Sequence, residues 1–241
     1  MSAYEKRSDL KISGAGNGSG GVYDKVKIDG AGTVNGDVDC HDFVANGSAK
    51  VQGQLKAEAI RIHGSASVEG PVQSESMKIY GSGGFKQNVR SRSIYVAGHC
   101  AIKGQCQSQE LELTGSLSVH GDVQSEVMQS KGSFHVDGRL HIGKADIQMV
   151  GPCKAMEIIG DDVAVTRKGK KFWDLLNFSC KMPGLEADLI EGDVLHLEFT
   201  EADIVRGNRV TLGQGCKVRL VEYRDELHQD PQAKVGEARR I

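Results

Sequence analysis

The side chains able to do chemistry here are carboxylates, hydroxyls, imidazoles and thiols, and their spacing decides whether any of them converge. Glu58 and Glu75 stand 17 residues apart, and two carboxylates on one surface are the arrangement of a glycoside hydrolase. At the same interval, however, come His41, Arg92 and Gln109, which describes a solvated corner of mixed charge. Ser48, Ser65, Ser82, Ser116 and Ser133 recur on the same step, with no base fixed beside them, whereas a nucleophile needs one particular base. His63, His99, His120, His135 and His141 fall at five different phases of that step, so they build no ladder of metal ligands and read as solvated imidazoles. The six cysteines, at positions 40, 100, 106, 153, 180 and 216, form no C-x-x-C pair and no zinc spacing, and are expected as reduced thiols filling small apolar positions. There is no P-loop, and the glycines between residues 14 and 21 lack the strand-to-helix context of a dinucleotide-binding loop. No catalytic residue, metal, cofactor or nucleotide is therefore expected.

Composition points the same way. The formal net charge is −2, which supplies no general attraction for nucleic acid. No run of 18 apolar residues exists and the first residues lack the apolar stretch of a signal peptide, so a cytoplasmic chain is expected. Gly is abundant, 31 residues against 4 Pro, and such an excess calls for a periodic explanation.

The period is 17. Gly30, Gly47, Gly64, Gly81, Gly98, Gly115 and Gly132 follow one another at that step, and a second column six residues on reads Gly36, Gly53, Gly70, Gln87, Gly104, Gly121 and Gly138. Apolar residues hold fixed offsets from the first glycine: Val34, Val51, Val68, Phe85, Ile102, Val119 and Val136 at plus four; Val38, Leu55, Val72, Val89, Cys106, Val123 and Leu140 at plus eight. Further apolar columns stand at plus thirteen and plus fifteen, the latter interrupted by Ser130, and small residues occupy plus two and plus ten. The offsets between are polar, so each run is a strand with one buried face. The alternation slips once per repeat, at pairs such as Glu58-Ala59 and Arg92-Ser93. With the glycine columns as the other two corners, each repeat makes three short strands around a triangular coil. The fold expected is all-β, a parallel β-helix.

Such coils must stack. Four large side chains at about 1.5–3 kcal/mol each cannot offset the ordering of a whole coil at about 1–2 kcal/mol per residue. Neighbouring coils supply the missing contacts and hydrogen bonds, and the two end coils are left with unpaired N–H and C=O groups.

The main β-helix is expected over 10–150, after a flexible N-terminus at 1–9. Past residue 150 the register is lost. An irregular insertion over 151–184 carries Phe172, Trp173, Leu176 and Phe178 behind a basic run. These four read either as a partner or membrane-surface contact or as a cap on the flank, and base rates favour the cap. Ala187-Asp-Leu-Ile-Glu-Gly192 then aligns with Ala202-Asp-Ile-Val-Arg-Gly207 at a 15-residue offset, which predicts a second, shorter β-helical block over 185–224, followed by a mobile tail at 225–241.

The stacked units of the form Gly64-Ser-Ala-Ser-Val-Glu-Gly-Pro-Val72, together with Val205-Arg-Gly-Asn-Arg-Val210 and Cys216-Lys-Val-Arg-Leu-Val-Glu-Tyr223, resemble the bactofilins, and in particular the longer Bacillus-type members of that family. The resemblance implies a right-handed coil and nucleotide-independent, non-polar filaments formed through terminal coils. It also implies a role in cell shape, motility or organisation at the inner face of the membrane. Self-association, with itself or a paralogue, is the expected partnership. Leu10, Ile12 and Val26 at one end, and Leu212, Val218 and Leu220 at the other, are the expected polymer contacts. Two other classes compete: a left-handed β-helix acyltransferase, which needs a six-residue period and one singular histidine, and a β-helix carbohydrate-binding protein.

Overall fold

The computed structural model describes residues 7–167 and 184–241. These residues hold strands and turns and no helix, and every strand pairing is parallel. They divide into two compact units, one ending at Gln109 and the other starting at Glu110.

In the first unit the 17-residue step is the hydrogen-bond register itself. Ser48–Val51 pairs with Ser65–Val68, which pairs with Ser82–Phe85 and then His99–Ile102. Leu55–Ile62 pairs in the same way with Val72–Ile79 and then Val89–Val96. In the coil that starts at Gly64, Ala66, Val68, Val72, Ser74, Met77 and Ile79 are buried, while Ser65, Gln73, Glu75 and Lys78 are exposed. Those buried residues are the six inward offsets of the repeat. The charged corner differs from expectation in one respect: Val72–Ile79 is a single strand that bends at Glu75 instead of ending there.

The glycine corners are required by close approach. A Cβ on Gly64 would collide with the carbonyl oxygen of Gly47 in the coil below, the same oxygen that accepts from Ser65 N at 2.9 Å. At the second glycine corner a side chain from the preceding coil takes over a backbone bond: Gln54 N donates to Asp37 Oδ1 at 2.8 Å, and Gln105 N to Asn88 Oδ1 at 2.9 Å. The small inward serines are satisfied around the charged corner, where Ser74 Oγ donates to Ser91 Oγ at 2.9 Å and Ser91 Oγ to Ser93 O at 3.0 Å.

The second unit keeps the same cross-section while its step varies. Val123 pairs with Leu140 at 17 residues, Leu140 with Ile158 at 18, Ile190 with Val205 at 15, and Val218 with Val235 at 17. Its strands run through the corners, as in Ser133–Met149, Cys153–Arg167, Leu185–Leu197 and Thr200–Leu212. Cys153–Arg167 falls where irregular chain is expected, and the change of step there is what removes it from the 17-residue pattern. Between Leu197 and Thr200, Phe199 adopts φ 47°, a left-handed conformation unfavourable for an aromatic residue. The Arg167 guanidinium lies 3.6 Å over its ring, and the ring fills the space a Cβ on Gly215 would need.

Residues from 225 onward, expected as a tail, are strand. Lys217–Gln229 continues past that point, and Lys234–Arg240 pairs with it from Lys217–Lys234 to Tyr223–Arg240. Charge concealed this coil from the sequence pattern, because only the buried Ala233, with Val235 and Ala238, stands for its inward set.

Candidate assembly surfaces

A β-helical unit offers two kinds of surface: the hydrogen-bonding edge of a terminal coil, and the outward side-chain columns. The N-terminal edge of the first unit is Ser8–Ile12. It pairs on one side with Ala15–Ile28, through Leu10–Val26 and Ile12–Ile28, and has no partner strand on its other side among the described residues. The coil it begins is short of side chains. A Cβ on Gly18 would stand 3.0 Å from Leu10 Cδ2, one on Gly16 3.6 Å from Ile12 Cγ2, and one on Gly32 3.0 Å from Ile12 Cδ1. Leu10 and Ile12 therefore fill the space three glycines leave open. Leu10 is half-buried and Ile12 nearly covered.

Val26 lies one layer further in, fully buried between Leu10 and Phe43. The C-terminal residues expected at the contact are likewise not on the edge. Leu212 pairs with Leu197 on one side and Gln229 on the other, and Val218 with Ala202 and Val235; both are buried. Leu220 points outward at a corner, half-exposed, in a column with Leu189 and Ile204. The edge comprises Lys234–Arg240 together with Glu226–Gln229, which among the described residues pairs only with Arg209–Leu212; along the former, Arg239 Nε and Nη2 donate to Glu237 at 2.6 and 3.0 Å and Arg240 Nε donates to Arg224 O at 2.8 Å. Phe172, Trp173, Leu176 and Phe178 lie outside the described residues.

Outward columns mostly pair charges between coils. Glu69 accepts from Lys86 at 3.0 Å and lies 3.1 Å from Lys50, and these two ammonium groups hold its carboxyl below the usual range. Glu58 is exposed, with His41 Nε2 4.0 Å away. The histidines do meet, across two adjacent columns: His120 Nδ1 is 2.7 Å from one Asp137 oxygen and His135 Nε2 2.8 Å from the other. These bonds, that to His120 first, hold the Asp137 carboxyl low. His120 and Asp137 share one column, 17 residues apart, while His135 reaches Asp137 from the neighbouring column, a bond that a column-by-column reading misses. No three His, Cys, Asp or Glu side chains among the described residues are placed to hold a metal ion.

Cys40, Cys100, Cys106, Cys153 and Cys216 are buried free thiols. Burial pushes the Cys40 and Cys106 thiols up to about 12 and that of Cys153 up to about 11, so little reactive thiolate exists at neutral pH. No helix among the described residues is long and apolar enough to cross a membrane.

Residues 3–86 match the family model for bactofilin, described as polymer-forming cytoskeletal. The uncharacterized protein YhbE of Bacillus subtilis is 58% identical over 237 residues, covering 98% of each chain. YhbF of the same organism is 32% identical over 104 residues, which is 43% of this chain and 42% of YhbF. No solved structure matches the chain. The chain belongs to the bactofilin family of polymer-forming cytoskeletal proteins.

Proposed function

We propose that the protein is a structural scaffold whose terminal coils associate, edge on edge, into filaments that need no nucleotide. The observation that carries this reading is the edge Ser8–Ile12, with unpaired backbone groups on one side among the described residues and Leu10 only half covered. An exposed strand edge is a template for another strand, and covering Leu10 adds about 1 kcal/mol or more of apolar burial to each contact. The charged edge Lys234–Arg240 forms the weaker contact. The role is cytoplasmic and non-catalytic, in cell shape, motility or organisation at the inner face of the membrane. The polymer forms from this chain alone or with a paralogue; the presence of two relatives in one organism supports a mixed polymer.

Negative-stain microscopy of the purified full chain without nucleotide tests the reading. Filaments are expected, and a protein that stays monomeric at high concentration overturns it. A peripheral membrane contact through Phe172 and Trp173 is a separate part of the proposal. Flotation with anionic vesicles should fall in the Trp173→Ala variant, and unchanged flotation removes that part.

A further inference from the structure

One outward column of the second unit reads, coil after coil, Lys154, Glu186, Glu201, Lys217 and Lys234. The column beside it reads Asp188, Asp203, Arg219 and Gly236. Together they floor a groove of about 920 Å³. From Glu186 to Lys234 their signs invert about one level, midway between Glu201 and Lys217, while Lys154 lies beyond the mirrored stretch and Asp188 mirrors the uncharged Gly236. Glu201 mirrors Lys217, Glu186 mirrors Lys234, and Asp203 mirrors Arg219.

This inversion has a symmetry meaning. A two-fold axis through that level, lying in the plane of the contact and perpendicular to the direction in which the coils stack, reverses the order of the coils and turns the two faces toward each other. It sets Glu201 of one copy against Lys217 of the second, Glu186 against Lys234, and Asp203 against Arg219, each twice. A two-fold contact uses one self-complementary patch, and a patch antisymmetric in charge is self-complementary only in this antiparallel arrangement. A parallel arrangement would set like charges against each other. The half-exposed Ile204 and Leu220 border the patch on adjacent coils and exchange places under the same axis.

We propose that this face of residues 110–241 is a lateral docking surface for a second copy of the chain, aligned antiparallel. Within one chain, Lys217 and Glu201 are 3.3 Å apart and Arg219 and Asp203 3.8 Å, with side chains 61–67% exposed. Exposed pairs of this kind hold little energy and rearrange readily. The groove gives room for both sets of long side chains with bridging water. Charge complementarity then sets orientation and encounter rate more than tightness.

The proposal does not depend on end-to-end assembly, and its test is made independent of it by using full-length chain carrying Leu10→Lys. In sedimentation, Glu201→Lys alone and Lys217→Glu alone should each weaken self-association at least tenfold, because each sets like charges against each other twice across the axis. Mixed in equal amounts they should associate again. In the mixed pair the introduced lysine of one variant faces the introduced glutamate of the other, and the native Lys217 of the first faces the native Glu201 of the second. Rescue by mixing cannot arise from a contact within one chain. Self-association should also fall as salt is raised from 0.15 to 0.5 M. If either variant fails to fold, Glu186→Lys and Lys234→Glu form an equivalent pair. Native-like association of each single variant, or no rescue on mixing, overturns the proposal. So does a Leu10→Lys chain that is monomeric at every concentration, which would leave the groove to a different partner. Should Leu10→Lys still polymerise, the same variants are read as filament width by microscopy, where a width that never changes counts against the lateral contact while leaving the end-to-end reading intact.

Discussion

The two units solve the same packing problem with different strictness. In the first, each coil from Ala31 onward is almost a copy of the next at 17 residues, while the edge coil joins at 16, turns Leu10 and Ile12 inward and is poor in side chains. In the second, the step drifts between 15 and 19 residues apart from the 32 that separate Cys153 from Leu185, the strands run through their corners, and the edge is charged. Identical coils give every position an equivalent neighbour, so nothing singular arises within them. Singular features occur where repetition stops: at Ser8–Ile12, at the left-handed Phe199, and along the column whose charges invert.

The largest expected effect breaks the comparison at its edges. Leu10→Lys places a charge on the apolar edge and should abolish filaments while leaving the thermal unfolding temperature within a few degrees. Val235→Lys, on the edge already rich in Lys and Arg, should only shorten them. Microscopy and light scattering check both, and equal losses would show that the two edges share the contact evenly.

The second effect is on stability. Gly64→Ala drives a Cβ into the Gly47 carbonyl, in a unit whose uniform stacking leaves no slack, and should cost roughly 3 kcal/mol or more. Gly151→Ala, in the drifting unit, meets only the Ser133 side chain at 3.0 Å and should cost under about 1 kcal/mol. Denaturant melts of the two variants decide whether a clash with backbone costs more than one with a side chain, and Gly192→Ala, whose Cβ would meet the Gly160 carbonyl in the second unit, should cost as much as Gly64→Ala.

Much of this was legible in the sequence because the inward set of a β-helix is a one-dimensional signal. The offsets plus two, four, eight, ten, thirteen and fifteen are the buried residues of the coil from Ala66 to Ile79. What was not legible has physical causes. Val26, Leu212 and Val218 are apolar because they are buried one layer in, so hydrophobicity pointed to the layer behind each edge. The final coil was hidden because strand Lys234–Arg240 protects its edge with charge and so loses the alternation that marks a strand. His135 joins the Asp137 of the His120 column from the column beside it, which a reading at fixed offset does not register.

Ser130 offers a third, smaller effect. It interrupts an apolar column between Leu113 and Ile147, is buried, and its Oγ has no hydrogen-bond partner among the described residues. Ser130→Ala removes that unsatisfied hydroxyl and should stabilise the protein by about 1 kcal/mol. A loss of stability would mean that the second unit holds this hydroxyl for a purpose the first unit lacks.

The smallest effect concerns how charge is placed in the two units. Glu69 in the first is bonded across coils to Lys86 and Lys50, each 17 or more residues away in sequence, whereas Glu237 in the second is bonded to Arg239 on its own strand. Both carboxyls are held below their usual range by those partners. A carboxyl whose folded value is depressed adds stability above its unfolded pKa of about 4.3 and loses it as pH falls through the folded value. Glu69 loses its distant partners on unfolding, so Glu69→Gln should reduce stability at pH 7 and leave it unchanged near pH 2. Arg239 stays within reach of Glu237 in the unfolded chain, so Glu237→Gln should show a flatter difference between the two pH values. Urea melts at pH 7 and pH 2 measure both, and matching profiles would mean that contacts between coils and contacts along a strand stabilise the fold to the same degree.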